Sequence, residues 1–361
     1  MRMTKLITAA LLAGAAFVSA ASACSTFLLE SDKGLVVGKN YDWDIGDALV
    51  IVNKRGVRKT ALGTDRPMTW TSRYGSVSFN QYGREQPNGG MNEVGLVVEI
   101  MWLDETVYPI PDARPSLENL QWVQYQLDCS STVEEVIRSG DLLRIAPEGQ
   151  AKVHFLVCDT KGICATIEFL GGKTVVHTGK TLPHPVLTND TYESSIGYAK
   201  EHAGFGGSRP AANTMRSLDR FVRAAKLVSS PAARSASDPA AFAFGVLDSV
   251  SQGSQTQWRI VYDLRAMRVR FKTRANGRAR YLDLGALDYD CRTAVLVLDI
   301  DADLRGDVTG SLRPYTTAAN RDLITRTFRG TDFLAEIPAE LLEALAVYPE
   351  MTACEAAGAP R

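Results

Sequence analysis

Histidine is scarce in this chain: four residues, His154, His177, His184 and His202, none beside a recognisable nucleophile motif. That removes papain-like catalysis, which needs a characteristic local sequence as well as a Cys–His pair. His154 and His177 fall on predicted strands and read as packing residues. Gly-x-Ser-x-Gly elbows, phosphate loops and His-Glu-x-x-His helices are absent too, which closes the serine-hydrolase, nucleotide and zinc-peptidase routes. Cys158 and Cys164 lack a second Cys/His pair at zinc spacing, so neither metal nor cofactor is expected. An excess of one charge is also missing. Lys and Arg number 40 against 41 Asp and Glu, with no basic block, which argues against nucleic-acid and membrane-surface partners. Past the first 23 residues no apolar run approaches the ~20 residues of a membrane span.

What the chain does have is a cysteine in an unusual place. Arg2 and Lys5, the apolar stretch Leu6 to Val18, and Ala21-Ser22-Ala23 make the three parts of an export signal. Cleavage after residue 23 leaves a mature chain of residues 24–361, read as one domain in a bacterial periplasm or secreted, with Cys24 at its start. Such a residue carries a thiol and a free α-amine together. The amine, with an ordinary pKa of about 7.7 to 8, can act as the thiol's own base. Two plainer readings stand beside this one. Cys24 is one more cysteine of an exported protein, or it is the acylated anchor of a lipid-attached binding protein. A lipoprotein signal normally has Leu three residues before its cysteine, and here that position is Ala21.

Export permits disulfides. Cys158 and Cys164 flank the turn-like Asp159-Thr160-Lys161-Gly162 and are the favoured pair; Cys129, Cys291 and Cys354 stay unassigned.

Period-two alternation predicts strands at Ser25 to Glu30 and Leu35 to Lys39, joined by Ser31-Asp32-Lys33-Gly34, and at Ala48 to Asn53 and Gly95 to Trp102. Helical spacing follows at Ser116 to Leu127, with Ser116 as N-cap, and at Thr132 to Ser139, capped by Ser131 or Thr132. A meander at Val153 to Cys158, Cys164 to Phe169 and Thr174 to His177 precedes helices at Thr191 to Glu201, Met215 to Ser229 and Asp238 to Ser251. Ser230 to Asp238 reads as a small-residue loop. Strands return at Gln257 to Leu264, Met267 to Thr273 and Ala279 to Leu284. From about Asp301 the chain reads as an irregular C-terminal extension with one short helix, Ala339 to Val347. Runs of antiparallel strands separated by paired helices predict an α+β fold of two sheets covered by helices.

Six short motifs occur in order around this frame. They are Cys24-Ser25-Thr26-Phe27, Gly38-Lys39-Asn40-Tyr41-Asp42-Trp43, Gly90-Met91-Asn92-Glu93-Val94-Gly95-Leu96, Val186-Leu187-Thr188-Asn189, Ser217-Leu218-Asp219-Arg220-Phe221-Val222-Arg223 and Thr256-Gln257-Trp258-Arg259-Ile260-Val261-Tyr262-Asp263. Together they resemble the choloylglycine hydrolase family, which contains bile salt hydrolases and penicillin V acylases. The resemblance spans Cys24 to about Leu284.

That resemblance implies an N-terminal nucleophile hydrolase with a four-layer αββα sandwich, often tetrameric. It implies cleavage of a linear, non-peptide amide through a thioester on Cys24. Asp42 would orient the α-amine, Asn189 would donate to the oxyanion beside a backbone N–H, and Arg220 would balance the site's charge. Against this, Asp42 also reads as a turn residue, Asn189 as an Asx-turn, and Arg220 as part of a solvated stripe with Arg216 and Arg223. Two positions depart from the family pattern. Lys39 stands where Arg is usual; it keeps the positive charge near the nucleophile but not the planar fork. Trp102 stands where bile salt hydrolases tend to have an oxyanion Asn, as in acylases of Gram-negative type, and would stack on an aromatic or acyl group. The substrate expected is therefore an apolar acyl amide, of the penicillin V or N-acyl homoserine lactone kind, with a bile salt as the alternative.

Overall fold

The structure is a computed structural model, and it describes residues 24–64, 66–147 and 150–355; the export signal lies outside the described residues. β1 (Ser25–Ser31) and β2 (Gly34–Asp42) pair antiparallel from Ser25↔Asn40 to Ser31↔Gly34, leaving only Asp32 and Lys33 as the turn. β3 (Leu49–Asn53) follows as expected. β4 (Ser76–Asn80) and β5 (Gly89–Asn92) were not expected. They are rich in Ser, Gly and Asn, which lack the β-branched and aromatic signature of a strand. All their residues are nonetheless buried, and several of the polar side chains are hydrogen-bonded there. Asn53 Nδ2 donates to Ser76 Oγ at 3.0 Å and Ser78 Oγ at 2.8 Å, and Ser78 Oγ donates to Asn80 Oδ1 at 2.7 Å. β6 (Val97–Trp102) comes next.

The helix expected from Ser116 begins later. Ser116 N–H donates to Arg66 C=O and its own C=O accepts from Met68 N–H, so this residue is committed to extended pairing. α1 runs Asn119–Cys129 with Glu118 at its cap position. α2 (Val133–Ser139) is capped by Thr132, whose Oγ1 accepts from Glu135 N–H at 3.2 Å.

β7 (Val153–Cys158), β8 (Cys164–Leu170) and β9 (Lys173–Thr178) make the meander, with Cys158 opposite Cys164 and disulfide-bonded to it. β10 (Val186–Leu187) returns to pair with β1. α3 (Tyr192–Ala199), α4 (Ser217–Val228) and α6 (Pro239–Ser249) occupy the three helical stretches. The small-residue loop between the last two holds a further turn, α5 (Pro231–Arg234), capped by Ser230. β11 (Thr256–Asp263), β12 (Arg268–Thr273) and β13 (Arg280–Asp283) complete the expected strands.

The segment expected to be irregular is ordered. β14 (Leu296–Asp299) pairs with β3, and β15 (Gly306–Asp307) and β16 (Arg313–Pro314) extend the two sheet edges. α7 (Thr317–Arg329) then packs against α8 (Ala339–Val347). The inward positions of α7 include Asn320 and Thr327 among Leu323, Ile324 and Phe328, which blunts the apolar periodicity that would have announced a helix. Cys291 and Cys354 form a second disulfide.

These strands make two large sheets, ordered β10-β1-β2-β11-β12-β13-β15 and β9-β8-β7-β6-β5-β4-β3-β14-β16. Their facing sides share a core that includes Phe79, Met91, Met101, Leu156, Tyr262 and Phe271. The other face of the nine-stranded sheet presents Val98, Ile100, Phe155 and Val157 to Trp122, Val123 and Leu127 of α1 and to Val133 and Val136 of α2. Helices α4 and α6 cover the outer face of the seven-stranded sheet. The result is the expected four-layer αββα sandwich. β6 reads as apolar on both faces because Val97 and Met101 enter one core and Val98 and Ile100 the other. No helix among the described residues is long and apolar enough to cross a membrane.

Candidate active site

Cys24 sits at the start of β1, buried, with its thiol free. The β1–β2 register sets it at the end of the hairpin where β2 closes on Asp42. From α4, the fully buried Arg220 reaches the same point. Its Nη1 donates to Cys24 C=O at 2.7 Å and Ser25 Oγ at 2.5 Å, its Nε to Met215 C=O at 3.1 Å, and its Nη2 to Asn189 Oδ1 at 2.8 Å. The solvated-stripe reading of Arg220 is therefore excluded. A planar guanidinium holding four acceptors fixes them relative to one another, which a point-charge ammonium cannot do.

Asn189 follows β10 and does not cap a helix. That place belongs to Thr191, whose Oγ1 accepts from Ser194 N–H at 3.2 Å. Asn189 N–H donates to Ser217 Oγ at 2.8 Å, and Nδ2 donates to Trp102 C=O at 2.8 Å. With Oδ1 held by Arg220, the amide is locked with its N–H₂ end on the Trp102 side. His154, fully buried, lies 2.8 Å from Thr188 C=O through Nε2 and 3.0 Å from Glu168 Oε1 through Nδ1, and so anchors the residue before Asn189.

Asp42 is fully buried at the end of β2 rather than in a turn. Thr256 Oγ1 donates to its Oδ1, whereas Oδ2 has no hydrogen-bond partner among the described residues. Burial pushes the Asp42 carboxyl up to about 6, opposed first by the Thr256 hydrogen bond and then by Arg220 and Lys39. Burial also raises the Cys24 thiol, and Lys39 is the largest influence drawing it back down.

Lys39 exerts that field from the interface between the sheets. Its Nζ donates to Ile100 C=O, touches Met101 Sδ at 3.4 Å and lies 3.6 Å from Glu99 Oε2, with both charged side chains buried. Glu99 Oε1 accepts from Tyr262 Oη at 2.5 Å, and burial pushes its carboxyl up to about 7. Gly89 stands opposite Glu99 in β5, where an added Cβ would lie 2.4 Å from the carboxylate. Trp102 is half-buried at the rim. Its indole donates to Asp104 at 2.7 Å, and its ring lies 6.2 Å from that of Trp43.

Four of the six sequence candidates thus form one cluster, Cys24, Asp42, Asn189 and Arg220. Trp102 joins through its carbonyl, and Lys39 acts across a greater reach with Glu99 as its counter-ion. Thr256, Ser217 and Glu99 were not singled out, and His154 was read as a packing residue. Thr256 and Ser217 were visible as the first residues of two motifs, but Glu99 had no sequence signal.

Over residues 24–296 the chain matches the linear amide C–N hydrolases of the choloylglycine hydrolase type. The chain belongs to the choloylglycine hydrolase family. It is 28% identical to a penicillin V acylase of Pectobacterium atrosepticum, with 70% of this chain and 78% of the relative covered. The structure of penicillin V acylase from Agrobacterium tumefaciens superposes with a TM-score of 0.72 at 28% identity, covering 81% of this chain and 98% of that one. A conjugated bile acid hydrolase variant from Clostridium perfringens shares the fold, with a TM-score of 0.64 at 18% identity over 76% and 97% of the two chains. The protein is accordingly an enzyme that hydrolyses linear amide C–N bonds, built on the N-terminal nucleophile hydrolase fold.

Proposed function

We propose that Cys24, made N-terminal by loss of the export signal, is the nucleophile of an acylase for amides with an apolar acyl group. The α-amine takes the thiol proton as sulfur attacks the amide carbonyl. Asn189 Nδ2–H donates to the developing oxyanion, a contribution of about 10²- to 10³-fold in such sites. The amide C–N bond then breaks and the leaving amine takes the proton. Water, deprotonated by the same α-amine, hydrolyses the thioester and releases the acid, so one difficult step becomes two easier ones. Asp42 Oδ2 receives the α-ammonium whenever it forms.

The observation that carries this reading is the Arg220 fork, which joins Cys24 C=O to Asn189 Oδ1 and so ties nucleophile to oxyanion donor. The rings of Trp43 and Trp102 beside it favour an apolar acyl group, and the penicillin V acylase relatives point the same way. Two disulfides support an oxidising, exported setting such as the periplasm.

The test is kcat/KM on penicillin V, a long-chain N-acyl homoserine lactone and glycocholate. One of the first two is expected to exceed glycocholate by about 100-fold or more, the range a pocket's shape supplies. A preference for glycocholate would replace this reading with a bile salt hydrolase.

The site also fixes a pH limb. The α-amine must be free to take the thiol proton and Asp42 ionised to hold it afterwards, so kcat/KM should fall first as pH drops through the amine's range near 8 and fall more steeply as Asp42 is protonated near 6. Thr256→Val removes the hydrogen bond that most favours the carboxylate, so Asp42 keeps its proton to higher pH. The lower of the two inflections should move up by about one pH unit, with kcat/KM near pH 8 changed little. An unmoved limb in the pH profile assigns it to another group.

A further inference from the structure

The family match ends at residue 296, yet the chain beyond it returns to the site. On α7, Arg326 Nε pairs with Asp47 Oδ1 at 3.1 Å. One turn later the backbone passes so close to the loop after β2 that a Cβ on Gly330 would lie 3.3 Å from Ile45. The segment is then pinned at Thr331 and at Leu334, with Asp332 and Phe333 between them. Thr331, fully buried, donates through Oγ1 to Thr327 C=O at 2.8 Å, and Leu334 packs with Phe328, Leu342 and Ala346. Between these anchors Phe333 is left 44% exposed. Its ring meets Trp43 edge-on, centroids 6.3 Å apart and planes at 80°. Trp43 in turn faces Trp102 at 6.2 Å, and the Trp102 carbonyl holds Asn189.

A single exposed Phe on a surface is ordinary. This one lies against Trp43, whose ring also meets that of Trp102, and its backbone is clamped beside the loop after β2. We propose that Phe333 is the outer wall of the acyl-binding site and determines how large an apolar acyl group the enzyme prefers. This rests on the reading that the Trp43–Trp102 side receives the acyl group. A short acyl group ends at Trp102, whereas a long alkyl or aryl group continues over Trp43 and covers the exposed part of Phe333.

The test compares wild type with Phe333→Ala on butanoyl, octanoyl and dodecanoyl homoserine lactone, with dodecanoate binding followed separately by tryptophan fluorescence. For the dodecanoyl substrate KM should rise about tenfold with kcat nearly unchanged, while the butanoyl substrate is unaffected. Dodecanoate should bind about tenfold more weakly to the variant, Phe333→Leu should recover most of the loss, and the melting temperature should not move. Loss spread evenly over the series, or equal dodecanoate affinity in wild type and variant, overturns the role of Phe333. A wild type that binds dodecanoate more tightly than the variant, yet cleaves none of the lactones, counts against the proposed substrate class and supports the wall.

Discussion

Cys24→Ser is expected to lower kcat/KM by about four orders of magnitude or more, the scale seen when a covalent nucleophile is removed. A hydroxyl is far less acidic and less nucleophilic than a thiol, and this site is arranged around sulfur. The fold should be indifferent. Serine is close to cysteine in size, and Arg220 grips the carbonyl of residue 24 and the hydroxyl of Ser25, neither of which the substitution touches. Circular dichroism melting alongside the kinetics separates the two effects, and comparable turnover in a folded variant would sink the assignment.

The second large effect concerns what precedes Cys24. A protein that retains one residue ahead of it has an amide in place of the α-amine, and the site then has no base for the thiol. Asp42 Oδ2, buried and without a partner among the described residues, also loses the cation proposed to satisfy it. Activity should fall by about 10²- to 10⁴-fold, the range for general acid–base catalysis. Intact mass must accompany the assay, because trimming of the extra residue restores the enzyme. Full activity with the residue demonstrably in place contradicts the amine's role. A diacylglyceryl mass on Cys24 would instead bring back the lipid-anchored reading.

Much of the frame was legible because its signals are local. The β1–β2 hairpin, the meander with its facing cysteines and the three helices beside α5 all announce themselves by alternation, caps and turn residues. Where residues took their roles from distant partners, the sequence was silent. Nothing in the spacing of Ser76, Ser78 and Asn80 shows that Asn53 donates to the first two and Ser78 to the third. Ser116 has the chemistry of a helix cap and is captured by Arg66 and Met68. Arg220, flanked by arginines, looks exposed until the helix is turned against β1. Lys39 has the charge the resemblance implied, but its counter-ion Glu99 comes from the other sheet, sixty positions away in the chain and visible only once the layers stack. The pairing of Cys291 with Cys354 belongs to the same class, as does the return of Phe333 to Trp43.

The Cys291–Cys354 bond closes a loop of chain with a sequence separation of 63. Cys24, Asp42, Asn189, Arg220 and Thr256 all lie outside that ring, whereas Phe333 lies within it. The ring is also stitched to the body at its start, where β14 joins β3. On the proposed role of Phe333, one contributor to substrate choice is therefore carried on a covalently closed stretch of chain apart from the residues that break the bond.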